Sequence, residues 1–350
     1  MSMYAEQMDQ MWKGERTWII AEVGVNHNGS LEMAKKLVDH AREAGADAVK
    51  FQMYESDQLV SDTAGLTGYQ QERTTYDNQK QMLQQYQLNR TQFEELKQYC
   101  DASGILFLAT PFDQQSAEAL HNMGVQAFKI GSGDITHYPL LKQIGQYGKP
   151  MLLSTGMCGL GDIEDALHTL PADTPIVLLH CTSAYPAPYH DLHLSAIETM
   201  RSAFGHPVGY SDHSLGIEIP FAAVAMGYRV IEKHVTLDRN LAGPDHAASI
   251  EPAELKRMVQ GIRHIEQALG STRKQCRPSE QETRNKVRRG IYARRELKAG
   301  TVLQEADLLC LRPETDVPAS AYPRVTGRTL QRSLSAQSPL SWTDLSEGRT

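Results

Sequence analysis

Apolar positions recur along this chain in two alternating rhythms. Short runs rich in β-branched, aliphatic and aromatic residues occupy 18–23, 48–52, 105–109, 127–130, 151–153, 176–179, 208–210 and 230–232, which makes eight candidate strands. Between them lie stretches with apolar residues three and four apart, such as 31–44, 93–103, 115–123, 163–170 and 253–269. A period near two followed by a period near 3.6 predicts strand–helix units, and their repetition predicts a parallel sheet. Eight units between residues 18 and 269 fit a (β/α)8 TIM barrel. An open doubly wound sheet is the other arrangement, but no G-x-G-x-x-G follows the first run.

The rhythm breaks in two places. Residues 56–89 form a long insertion rich in Gln, Thr and Tyr after the second run. In a barrel it leaves the C-terminal face, where insertions build substrate pockets. Residues 271–286 are polar and charged, contain Pro278, and read as a linker. The expected organisation is therefore a barrel domain at 1–270, a linker at 271–286 and a small domain at 287–350. Within that tail, 299–308 and 336–345 are alike at five of ten positions, four identical and one Thr against Ser, which suggests a short internal duplication and a pseudo-symmetric fold.

Composition narrows the function classes. A chain of 350 residues that is 41% hydrophobic and 22% charged has enough apolar material for a real core. Lys and Arg number 35 against 42 Asp and Glu, a net charge of −7, so nucleic acid is not an expected partner. No apolar run approaches the ~18 residues of a membrane helix, and residues 1–16 lack the apolar core of a signal peptide. Cys100, Cys158, Cys181, Cys276 and Cys310 are scattered and never in a C-x-x-C pair, so free thiols and a cytoplasmic location are expected.

In a barrel, chemistry gathers where strands end. Those ends read Glu22, with Asn26 and His27 behind it; Lys50; Thr110; Lys129 and Ser132; Ser154; Ser183 and Tyr185; Ser211 and His213; and His234, with Asp245 further on. Two lysines and several hydroxyls round one mouth point to an anion such as phosphate or carboxylate. Surface lysines are the alternative, but Lys50 and Lys129 sit inside apolar runs. His213 and His234 follow neighbouring strands and could share a divalent metal with open positions, or could be structural. Glu22, ending an apolar strand, either partners a lysine or does acid–base work. Asn26 and His27 could equally be turn residues.

The same residues carry a family resemblance. The stretch IAEVGVNHNGS at 20–30 resembles the opening of the sialic acid (N-acetylneuraminate) synthases. So do AVKFQ at 48–52, ATPF at 109–112, FKIGSG at 128–133, LSTGM at 153–157, HCTSAYP at 180–186, YSDH at 210–213, IEKH at 231–234 and GPDH at 243–246. The C-terminal region resembles that family's antifreeze-like domain. The resemblance implies an enzyme that condenses phosphoenolpyruvate with an acylated amino-sugar aldehyde to give a nine-carbon 2-keto acid and phosphate. N-acetylmannosamine is the first expected sugar; the legionaminate precursor, a diacetamido-trideoxymannose, is the alternative, and the pseudaminate precursor is third.

By the same resemblance, Lys50, Thr110, Lys129, Ser132, Ser154, Ser183, Tyr185 and Ser211 hold phosphoenolpyruvate or the adjoining sugar. Glu22 is the acid–base or cation-stabilising carboxylate. His213 and His234 ligate Mn2+ or Mg2+. Asp245 and Arg312 hold the sugar, Arg312 reaching into the partner's barrel in a homodimer. Three departures from the family pattern stand out. Ser183 occupies the place of a usual Asn. Glu314, Thr315 and Asp316 replace Gly-Asn-Gly after Arg312-Pro313. Tyr69 and Gln70 stand nearest to a sugar-contacting Asn of the insertion. Outside this class, a catalytically dead, carbohydrate-binding barrel is the competing reading, and the intact Glu22, Lys50, Lys129, His213 and His234 set argues against it.

Overall fold

Each apolar run folds as a strand, and nearly every strand continues past its last apolar residue. The computed structural model describes residues 16–346; the polar opening stretch before Arg16 lies outside them. The strands are β1 (Trp18–Gly24), β2 (Ala48–Met53), β3 (Leu106–Pro111), β4 (Phe128–Ile130), β5 (Met151–Ser154), β6 (Ile176–Cys181), β7 (Val208–Asp212) and β8 (Val230–His234). They pair in parallel in the order β3-β2-β1-β8-β7-β6-β5-β4. β3 and β4 pack side by side and bring the ring round without a registered ladder. This is the expected TIM-like barrel.

Helices fill the crossovers. They are α1 (Leu31–Ala44), α2 (Ser56–Leu59), α3 (Gly68–Arg73), α4 (Gln79–Tyr86), α5 (Arg90–Ser103), α6 (Gln114–Asn122), α7 (Tyr138–Gly145), α8 (Leu160–His168), α9 (Ala196–Phe204), α10 (Glu218–Ala225) and α11 (Pro252–Leu269). α1 illustrates the local logic. Ser30 caps it by accepting from the Met33 N–H, Gly45 ends it at φ 85°, and Ala34, Leu37, Val38 and Ala41 form its buried stripe. The insertion is three short helices, α2 to α4, whose Met82 and Tyr86 pack with Val25 into a small cluster of their own.

The barrel has two apolar layers. Ile19, Ala21, Val23, Val49 and Phe51 face the helices. Trp18, Ile20, Ala48, Leu106, Leu108, Ala127, Leu152, Val177, Leu179 and Val230 fill the lower lumen. Gly209 completes that floor: a Cβ there would lie 2.6 Å from both Leu179 and Val230, so only hydrogen fits.

A second compact unit begins at Ser271. The stretch expected to be a plain linker contains a 3-10 turn at Pro278–Glu280 and α12 (Gln281–Val287). Pro278 opens this segment at the first helical position, where its missing N–H costs nothing. Next come β9 (Gly290–Ala293), its antiparallel partner β10 (Leu308–Leu311), and α13 (Tyr322–Val325). The internal duplication is real in three dimensions. Asp307 and Asp344 each end a 3-10 turn, each accept from the backbone N–H three residues earlier, and each pair with an arginine, Arg295 and Arg332. Leu297 and Leu334 exchange both backbone hydrogen bonds at 2.8 Å.

Candidate active site

Strand parity builds the site. The phase that starts with Trp18 and Ile20 in the lumen brings Glu22 there next; Ala48 leads to Lys50 and Gln52, and Leu106 and Leu108 lead to Thr110. Likewise Ala127 leads to Lys129, Leu152 to Ser154, Leu179 to Cys181, and Val230 to Glu232 and His234. The lower lumen is thus apolar and its C-terminal end polar. The polar end opens into a cavity of about 380 Å3.

Four charges form its floor. Lys50 Nζ lies 3.0 Å from Glu22 Oε2 and 3.6 Å from Glu232 Oε2, and donates to Thr110 Oγ1 at 3.2 Å. Lys129 Nζ lies 3.4 Å from Glu232 Oε1 and donates to Ser154 Oγ at 2.7 Å. The Ser211 hydroxyl donates to Glu232 Oε1 at 2.8 Å, and the Gln52 amide to Glu22 Oε1 at 3.1 Å. All four ionised groups are buried. Burial pushes the Glu22 carboxyl up, and Lys50 only partly offsets it. Burial works the same way on Glu232, but Lys129 and Lys50 together overcome it and hold that carboxyl down. Burial lowers Lys129, whereas Glu22 and Glu232 overcome burial at Lys50 and raise it.

Hydroxyls ring the β4–β6 side. The Ser132 hydroxyl accepts from the Gly156 N–H at 3.0 Å. A Cβ at Gly156 would overlap Ser183 Oγ and Ser132 Oγ, so the glycine lets both hydroxyls close on the same backbone. Asp134, beside Gly131, is pushed up to about 7 by burial.

The histidines meet on the β7–β8 side, with ring centroids 5.5 Å apart. Tyr185 stacks on His213 at 4.2 Å and meets His234 edge-on at 5.8 Å. The His213 Nδ1–H donates to the Thr182 carbonyl at 2.9 Å, which leaves Nε2 facing the cavity 3.5 Å from Ser211 Oγ. His234 Nδ1 is buried without a hydrogen-bond partner among the described residues, 3.9 Å from Asp245 Oδ2. Burial, helped by His213 and Lys50, holds His234 well below the ordinary histidine range, so it stays neutral with lone pairs available. Burial also lowers His213, but neighbouring Cys181 reverses the direction and leaves it raised. Burial raises Asp245 to about 6. A buried imidazole nitrogen without a partner, beside a second oriented imidazole, fits a divalent cation. Among the described residues no three His, Cys, Asp or Glu side chains are grouped so as to hold a metal ion, so the two imidazoles alone are the candidate donors.

Two loops frame the site without entering the chemistry. Asn26 Nδ2 donates to the Val235 carbonyl at 2.9 Å and to Ser249 Oγ at 2.8 Å, and His27 Nδ1 accepts from the Gly29 N–H at 3.1 Å. Both are turn residues, and Asn26 ties the loop after β1 to the loop after β8. From the insertion, Thr67 and Gln79 line the cavity. Gln70, in the stretch that matches the family's sugar-contacting Asn, is buried and accepts from the Thr67 N–H at 3.0 Å, while the Tyr69 side chain lies outside the described residues. Arg73 donates to the Pro244 carbonyl at 3.1 Å and ties the insertion to the Asp245 loop. Arg312 is exposed at the end of β10 in the second unit.

Residues 37–274 match the NeuB family. The chain belongs to the NeuB family. Residues 288–346 match the SAF domain, so the second unit is a SAF domain. The chain is 44% identical over 90% of its length, and 96% of the relative's, to an N,N'-diacetyllegionaminic acid synthase from Campylobacter jejuni. It is 38% identical to the human N-acetylneuraminate-9-phosphate synthase, covering 82% of this chain and 80% of that one. Among solved structures, the sialic acid synthetase of Leptospira borgpetersenii in complex with citrate superposes with a TM-score of 0.70 at 38% identity, over 77% of this chain and 90% of that one. This NeuB chain is therefore a synthase-family enzyme.

A reading of strand ends gives no role to two cavity residues of this NeuB barrel. Glu232 sits in a run of three charged or polar residues, Glu232-Lys233-His234, and Gln52 looks like an ordinary polar strand residue. Parity is the signal that finds them: both fall on the lumen phase of their strands, whereas Lys233 falls on the opposite one.

Proposed function

We propose that this enzyme is a nonulosonate synthase. It joins phosphoenolpyruvate to a manno-configured, N-acylated amino-sugar aldehyde and releases phosphate and a nine-carbon 2-keto acid. The observation that carries the reading is the pair of buried ammoniums, Lys50 and Lys129, facing one cavity beside two imidazoles. Burying two cations is costly unless anions meet them. Glu22 and Glu232 meet them in the free protein, and the phosphate and carboxylate of phosphoenolpyruvate meet them in the complex.

The hydroxyls have a defined polarity. Thr110 and Ser154 accept from the two lysines, so their own O–H groups remain to donate to an anion. Ser132 and Ser183, crowded round Gly156, add donors on the same side. Ser211 is committed to Glu232, so it acts by holding that carboxylate. Tyr185 and Asp245 stand at the sugar side, next to the histidines. His213 and His234 would hold Mn2+ or Mg2+, which when bound supplies Lewis acidity to the aldehyde carbonyl.

The electron pair of the C2=C3 bond forms the new bond to the aldehyde carbon and leaves C2 as an oxocarbenium ion. Glu22 meets one lysine whereas Glu232 meets two, so Glu22 is the carboxylate whose charge is less offset; it faces that cation and accepts a proton from the water that adds to C2. The adduct then breaks its C2–O bond, and the electron pair departs with phosphate.

Likeness to relatives supports two readings of the sugar. The higher identity to the diacetyllegionaminic acid synthase favours the 2,4-diacetamido-2,4,6-trideoxymannose. N-acetylmannosamine is the second reading, favoured by the structural likeness to the sialic acid synthetase. The family resemblance further supports a homodimer in which Arg312 of one chain completes the other's site. Five free cysteines support a cytoplasmic enzyme, and no helix among the described residues is long and apolar enough to cross a membrane.

Phosphoenolpyruvate labelled with 18O in its C–O–P bridge tests the bond-breaking step. The label is expected in the released phosphate. Label retained in the keto acid would contradict attack of water at C2.

A further inference from the structure

Asp212 immediately precedes His213, and Lys233 immediately precedes His234. Both residues have the parity opposite to the lumen, and they are cross-strand partners in the β7–β8 ladder. Each is only 1% exposed. Lys233 Nζ lies 2.6 Å from Asp212 Oδ2 and donates to the Ser214 carbonyl at 2.5 Å. The Ser214 N–H and hydroxyl donate to Asp212 Oδ1 at 2.9 and 2.7 Å. The four contacts form a closed loop round His213, holding the residue before it and the residue after it from one lysine.

Stability alone is a weak reason for this arrangement. Two charges taken out of water lose nearly as much solvation as their attraction returns, and an apolar pair of similar volume would serve as well. What an apolar pair cannot supply is direction. The ammonium binds a carboxylate on one side of His213 and a carbonyl on the other, and so defines where the β7 loop leaves the strand. The Thr182 carbonyl then sets the ring rotation through Nδ1.

We infer that Lys233 and Asp212 are positioning residues: a clamp outside the lumen that sets the separation and aim of His213 and His234. This rests on the reading of those histidines as a divalent-cation pair. Outer partners of this kind fix a ligand's orientation, and their loss typically weakens metal binding more than it disturbs the fold.

The test is a direct Mn2+ titration of the metal-free full-length chain, followed by loss of the free-ion EPR signal, for wild type, K233M, D212N and K233R. Circular dichroism and thermal melting report which variants fold. Folded K233M and D212N are expected to bind Mn2+ roughly 10–100-fold more weakly than wild type, with turnover largely recovered at saturating Mn2+. K233R, which keeps the charge and the donors, should bind more tightly than K233M. Should K233M not fold, D212N and K233R against wild type make the same comparison. A wild-type chain that binds no Mn2+ overturns the cation reading itself. Wild type that binds, with folded variants binding equally well, overturns the clamp and leaves the cation site standing.

Discussion

Glu22 and Glu232 share one ammonium: Lys50 Nζ lies 3.0 Å from the first and 3.6 Å from the second. The two carboxylates are not equivalent. Burial raises Glu22, while Glu232 also faces Lys129 and is held low. Glu22 is therefore the group able to exchange a proton, and Glu232 the one that keeps its charge and the lysines in place. E22Q should lower kcat by on the order of 10²–10⁴ with little change in the phosphoenolpyruvate KM. E232Q should raise that KM instead. The reverse pattern in steady-state kinetics would exchange the two roles.

Lys50 and Lys129 are assigned to the anion. Removing either charge while keeping the stem, as in K50M and K129M, deletes a charge-assisted contact worth ~1.5–3 kcal/mol, or roughly one to two decades in affinity. The phosphoenolpyruvate KM should rise by that factor and the sugar KM should stay close to wild type. A raised sugar KM with an unchanged phosphoenolpyruvate KM would move the anion elsewhere.

Much of this site can be read from the chain, and the limits have physical causes. The eight strands announce themselves as apolar runs, but their ends do not, because the residues that complete each ladder are the polar ones that face the lumen. In β1, Trp18 and Ile20 point inward and Ile19 and Ala21 outward, all buried, so apolarity alone cannot give the phase. Glu22, Lys50, Lys129 and Ser154 break that degeneracy, since charge on one parity marks the lumen. Glu232 is hidden because Lys233 and His234 follow it, so charge falls on both parities at the end of that strand. The insertion has no long period because it folds as three short helices round Met82 and Tyr86. The segment 271–286 reads as a linker because it is polar, charged and contains Pro278, yet Pro278 sits at the first position of a helical segment, where its missing N–H costs nothing.

His27 makes stability depend on pH. Burial lowers its imidazole from 6.5 to about 4, and its Nδ1 must stay unprotonated to accept from the Gly29 N–H. Between those values the unfolded chain binds a proton that the folded chain does not. This contribution is complete above pH 6.5 and is lost as pH falls towards 4, on the order of 3 kcal/mol in total. His27→Asn keeps an acceptor for Gly29 and does not titrate, so it should flatten this part of the stability–pH curve measured by urea unfolding. An unchanged slope would mean that His27 is protonated in the folded chain.

Arg312 is proposed to act in a partner's barrel. Chains carrying His213→Ala and chains carrying Arg312→Ala should each be inactive. If Arg312 acts across the dimer, a mixture that exchanges subunits contains heterodimers with one doubly damaged site and one intact site, and activity returns. A silent mixture, with heterodimers confirmed by native mass spectrometry, would place Arg312 at the site of its own chain.

The central claim is the condensation itself, and one product screen tests it. The full-length chain with Mn2+ and phosphoenolpyruvate is offered 2,4-diacetamido-2,4,6-trideoxymannose, N-acetylmannosamine or the diacetamido-trideoxyaltrose, with phosphate and product masses followed together. A nine-carbon 2-keto acid should form in step with phosphate, one for one, fastest with the diacetamido mannose. Phosphoenolpyruvate left intact with all three sugars, or phosphate released with no new acid, would contradict the assignment.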